Sequence, residues 1–161
     1  MTVDSQNETF TSGSTYLINY SREEFEWVQM PGLNEERTEI SCGHLKDNSG
    51  LKVMVVAGGN SGPSAGNYNG WTEVFDLEIP GQNRWSYKQD MPIDAGDSKV
   101  IQMADKFFLS GGSNDIELTV FNTIFEYGSD LKWKPRKSFQ HARSGHSVFA
   151  VPDDYANCYF K

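Results

Sequence analysis

The chain has 161 residues, the length of one domain, and 22 acidic against 14 basic side chains give it a formal net charge of −8. That balance excludes the basic face that a DNA- or RNA-binding protein presents to phosphates. No apolar segment reaches the roughly 18–20 residues of a membrane span, so neither nucleic acid nor membrane is an expected partner.

Fifteen glycines and 13 % aromatic residues suit a β-rich fold with many turns. Residues 1–13 hold almost no apolar side chains and read as a disordered tail. They lack the basic-then-apolar layout of a signal peptide. Residues 14–20 and 25–30 read as strands around the charged turn 21–24, and 38–45 as the next strand. A turn at 46–50, rich in residues that tolerate positive φ, leads into an apolar run from Lys52 to Ala57 closed by Gly58 and Gly59. Such a run predicts a strand buried on both faces, stopped by a turn that needs glycine. The loop 60–70 is long for a hairpin, where two to five residues are usual. Residues 72–79 alternate and predict a half-buried strand with Phe75, Leu77 and Ile79 on one face. Pro80 to Asn83 turns the chain into a strand at Trp85. The series then recurs: strands at 100–104 and 107–110 closed by Gly111 and Gly112, a shorter loop, strands at 119–127 and at Trp133, and one more at 147–151.

The recurrence is an internal repeat. After each glycine pair come an aromatic strand, a turn and a tryptophan: Phe75 to Leu77 then Trp85, and Phe125 to Tyr127 then Trp133. A third copy without its glycine pair lies upstream, Ile18 to Tyr20 then Trp27. The tryptophans are 58 and 48 residues apart, close to the roughly 50 of a kelch unit. This ordered set resembles the kelch repeat, a four-stranded blade of a β-propeller, over about residues 14–161. Gly58, Gly59, Gly111, Gly112, the aromatic positions Tyr20, Phe75 and Tyr127, and Trp27, Trp85 and Trp133 carry the match. Arg37 and Arg143, each ten residues after a tryptophan, match the arginine often found entering the first strand of a kelch blade; Ala95 stands there in the unit between.

The resemblance implies an all-β, partial kelch-type β-propeller: two complete four-stranded blades, 37–94 and 95–140, flanked by half blades at 14–36 and 141–161. Large aromatic rings such as Trp85, Tyr127 and Trp133 would fill the wedges between blades. Twelve strands amount to three blades, fewer than the four to eight of closed propellers. The expectation is therefore a fragment of a longer protein. The sharper alternative is head-to-tail self-association, in which two copies complete each other's half blades.

Chemistry is sparse. The glycine-rich loop lacks the Gly-Lys-Ser/Thr ending of a phosphate loop, and there is no Gly-x-Ser-x-Gly elbow or Cys-x-x-Cys pair. His141 and His146, five residues apart on an extended segment, do not converge on a metal, and His44 stands alone. Neither a metal nor another cofactor is expected. Cys42 and Cys158 are expected as free, buried thiols, which favours the cytoplasm. Asn7 and Asn19 start glycosylation patterns that need a secretory route to matter. The residues expected to contact a partner are Arg37, Tyr68, Trp71, His141 and Arg143, on loops and strand starts at one end of the blades. The resemblance thus implies a non-catalytic module that binds a protein or peptide, as in ubiquitin-ligase substrate receptors or actin adaptors of this family. An enzyme of the galactose-oxidase or sugar-epimerase kind, with its active site in missing blades, is the other reading.

Overall fold

The computed structural model describes residues 12–19, 26–61 and 67–151. Most of the 1–13 tail, the turn at 21–24, Tyr20 and Cys158 fall outside them. The described residues are all-β, with no helix.

Strands β1 (Thr15–Asn19) and β2 (Glu26–Met30) form a hairpin. Strands β3 (Ser41–Lys46), β4 (Lys52–Ala57), β5 (Thr72–Asp76) and β6 (Ser86–Tyr87) form an antiparallel meander in that order. Strands β7 (Lys99–Met103), β8 (Lys106–Ser110), β11 (Ile124–Tyr127) and β12 (Trp133–Arg136) form a second meander. Between β8 and β11 a small ladder of β9 (Ser113–Asn114) and β10 (Thr119–Val120) is inserted. The predicted strand 119–127 is thus two short strands separated by residues 121–123. Residues 147–151, read from the repeat as the first strand of another blade, form none. A strand exists only where its backbone has a ladder partner, and none of the described residues supplies one there.

Each meander turns where its sequence demands. Between β3 and β4, Asp47 Oδ1 accepts from the amides of Ser49 (2.8 Å) and Leu51 (3.0 Å), and Gly50 takes φ 82°. After β4 and β8 the two glycine pairs adopt nearly the same conformation: φ 64° and 107° at Gly58 and Gly59, 58° and 111° at Gly111 and Gly112. A side chain there would also collide, at Gly58 with the Ala95 carbonyl (2.6 Å) and at Gly111 with that of Arg143. Glycine is required on both counts.

The two meanders repeat the same backbone bonds at their glycine turns. Gly58 N donates to Trp71 O (3.0 Å) as Gly111 N does to Thr123 O (2.9 Å); Gly59 N donates to Ala95 O (2.9 Å) as Gly112 N does to Arg143 O (3.0 Å). The register pairs Phe107 with Tyr127 and Met54 with Phe75, so Phe75 corresponds to Tyr127, not to Phe125 as the sequence spacing suggests. The rings agree: Phe75 lies 5.4 Å from Trp85, and Tyr127 4.7 Å from Trp133.

The core lies between the meanders. Leu45, Val53, Val55 and Val74 of the first meet Phe107, Leu109, Phe125, Tyr127 and Trp133 of the second. The first meander's other face, with Val56, Phe75 and Trp85, packs on Met30 of the hairpin and on Leu33 after it. It is therefore covered on both sides, and Thr72 to Phe75 are all buried, not half-buried, while Leu77 and Ile79 are exposed. Cys42, expected to be buried, is exposed: it alternates with Ser41 and Gly43, which face the core side of the edge strand β3. The interface leaves no spare volume at Gly43, where an added Cβ would lie 2.5 Å from the Phe107 ring. Gly43→Ala should therefore cost about 1–3 kcal/mol by overpacking, read as a lower urea midpoint at unchanged slope.

Candidate functional site

The glycine turns, the loop 60–71 and the β9–β10 ladder gather at one end of the two meanders. The base of the loop is a polar network. Ser61 N donates to Asn67 O (3.0 Å), Asn67 Nδ2 to Ser61 Oγ (2.9 Å), and Trp71 N to Asn69 Oδ1 (3.2 Å). Residues 62–66, the middle of the loop, lie outside the described residues.

Tyr68, an expected contact, is only 8 % exposed and bridges to Asn60 by backbone. Its hydroxyl interacts with the carboxylates of Glu39 and Asp115; burial and those charges push its pKa up to about 12. Glu39 is raised in turn by burial and by the charges of Asp97 and Asp115. Two carboxylates, Glu39 and Asp115, thus act on the phenol, and a third, Asp97, acts on Glu39. Lys99 offsets them with one ammonium, 2.8 Å from Asp97. Glu39 and Asp97 both take left-handed backbone, φ 57° and 51°, where the third equivalent position is Gly145 at 58°. Their equivalence follows from matching bonds: Asp97 N donates to Glu39 O and Gly145 N to Asp97 O, each at 3.3 Å.

Beside this cluster the turn between β9 and β10 projects from the molecule. Asn114 Oδ1 accepts from the amides of Ile116 (3.2 Å) and Glu117 (3.1 Å), and its Nδ2 donates to Asp94 O (3.1 Å), which fixes the turn to the body. Ile116 is 60 % and Leu118 89 % exposed at its tip. Neither figures among the residues expected from sequence; the only signal was an Ile-Glu-Leu alternation inside a loop.

The other expected contacts are placed differently. Arg37 is 3 % exposed, ion-paired to Glu73, and donates to Gly58 O (3.1 Å) and Trp71 O (2.9 Å). Its guanidinium ties the start of the first meander to β4 and β5. Trp71 is half-buried beside it, with its carbonyl shared between Arg37 and Gly58 N. His141 and Arg143 are exposed; Arg143 stacks over Phe139 at 4.4 Å. His146 turns away from His141 to meet Ser110 Oγ at 3.0 Å; burial, then the charges of Arg143 and Lys99, lower its pKa. The glycines Gly58, Gly59, Gly111 and Gly112 form the two turns, and Trp85, Tyr127 and Trp133 lie in the two apolar clusters. Among the described residues no group of three or more histidine, cysteine or acidic side chains is arranged to hold a metal ion. In comparisons with known proteins, no family model and no curated protein matches this chain.

Proposed function

We propose that the chain is part of a kelch-type β-propeller and acts as a non-catalytic module that binds a protein or peptide at its loop end. The repeat of hydrogen bonds between the meanders supports the propeller reading, as does the stacking of successive sheets in the same sense. The single observation that carries the binding reading is the loop end itself: a fixed turn exposing Ile116 and Leu118 beside the Glu39–Asp97–Asp115 cluster. Apolar side chains held this far into water on a rigid scaffold mark a recognition surface. A lysine or arginine of a partner, entering the cluster, would offset the burial and the repulsion from Asp97 and Asp115 that together raise Glu39. The partner segment is therefore basic with an apolar anchor. The exposed free thiol of Cys42 suits a reducing compartment, which makes the cytoplasm the proposed location.

Peptide display on the purified chain tests this. The selected peptides should carry lysine or arginine next to a large apolar residue. Their affinity should fall tenfold or more in Leu118→Ser or in the double variant Asp97→Asn, Asp115→Asn, and should weaken with salt. Selected peptides that are acidic, or that bind both variants as well as the wild type, would sink the proposal.

A further inference from the structure

The three sheets stack through a joint that occurs twice. Trp85 precedes β6 and stands opposite Phe75; its ring packs toward the hairpin and its Nε1 donates to Pro31 O at 2.8 Å. Trp133, opposite Tyr127, packs on the first meander and donates from Nε1 to Thr72 Oγ1 at 3.0 Å. Trp27 occupies the same register position, opposite Ile18 on the hairpin. Yet Trp27 is 67 % exposed, and Tyr16 on the same face is 56 % exposed. The chain therefore offers a tryptophan face of the type that seats twice within it, with nothing seated against it among the described residues.

Among the described residues the receiving half of the joint is also left uncovered. The face of the first meander that takes Trp133 carries Ala57 paired with Thr72; the corresponding face of the second meander carries Ser110 paired with Ile124. There Ile101, Phe108 and Ile124 floor an apolar groove of about 520 Å³, with Arg136 and Lys137 on its rim. Met103 and Phe149, which also line it, are 43 % and 81 % exposed.

We infer that a second copy of this chain covers both faces, the Trp27 face of each copy seated in the Ile124 groove of the other. The contact is heterologous, joining two different surfaces, and two such joints related by a two-fold axis close a ring of six sheets. This inference stands apart from the loop-end binding proposed above, because neither face includes a residue of that surface.

Light scattering on the full chain behind size exclusion tests it. The wild type should run at two chain masses, and Trp27→Glu or Ile124→Lys alone at one, with the β-sheet circular dichroism kept. Trp27 is mostly exposed, so its replacement leaves the folded sheets intact; Met103→Lys, also at an exposed site, repeats the test of the groove should Ile124→Lys unfold. Mixing Trp27→Glu with the groove variant should restore a dimer, more weakly than wild type, because one intact joint remains between the two. A wild type at one chain mass would overturn the inference, as would a dimer that survives the substitutions. A mixture that stays monomeric, or a mass that grows without limit with concentration, would overturn the closed two-copy ring.

Discussion

Glu73→Ala should destabilise the fold by about 3–5 kcal/mol, the usual consequence of removing one partner from a buried ion pair. Both side chains of the pair are 0 % exposed, so Arg37 would be left charged and dry. The carboxylate has further duties. Its Oε2 accepts from Asn34 N at 2.8 Å and from Asn34 Nδ2 at 2.7 Å, and Asn34 Nδ2 also reaches Trp85 O at 3.0 Å. Glu73 therefore joins the chain after the hairpin to the centre of the first meander, and its loss releases Asn34 as well as the buried guanidinium. Equilibrium urea unfolding measures the change. A double variant, Arg37→Met with Glu73→Leu, should recover much of the loss, because a packed apolar pair leaves no buried charge behind. A Glu73→Ala protein as stable as wild type would show that water reaches Arg37.

Trp133→Ala should cost about 3–5 kcal/mol as well, by a different route. The indole is 6 % exposed and touches Phe107, Phe125 and Tyr127 at centroid distances of 5.8, 6.5 and 4.7 Å. Removing it opens a cavity between the two meanders and leaves Thr72 Oγ1 without its indole donor. The same urea experiment reads it, with slope unchanged if the two meanders still unfold together. A loss below about 1 kcal/mol would mean that the sheets close over the gap.

The elements that were legible in the sequence were those whose local pattern and final environment agree. β4 and β8 are apolar runs stopped by glycine pairs, and the structure needs glycine at all four positions for backbone reasons. β5 was legible as a strand but not in its burial. Alternation separates an inner from an outer face, and β5 has no outer face because sheets cover it on both sides. Nor does hydropathy show that Glu73 is buried, since it cannot tell a solvated carboxylate from one neutralised by an arginine 36 residues away. The 147–151 segment stands where the repeat expects a strand but has no ladder partner among the described residues, and pairing is not a local property. Of the loop-end cluster only Tyr68 was singled out. Glu39, Asp97 and Asp115 come from three segments that only the folded sheets bring together.

The spacing between stacked rings has a consequence for chain length. Ten positions separate Phe75 from Trp85 and six separate Tyr127 from Trp133, yet both pairs stack, at 5.4 and 4.7 Å. The four extra residues lie in the exposed segment 77–84, which closes on itself through a bond from Gln82 N to Ile79 O (3.3 Å). Doubling a flexible loop costs only about 0.6 kcal/mol of closure entropy, far less than the stacking and burial that the joint retains. The outer turn of each meander is thus a splice point: a guest peptide can enter the chain between Pro80 and Gly81 while the tryptophan beyond it keeps its seat.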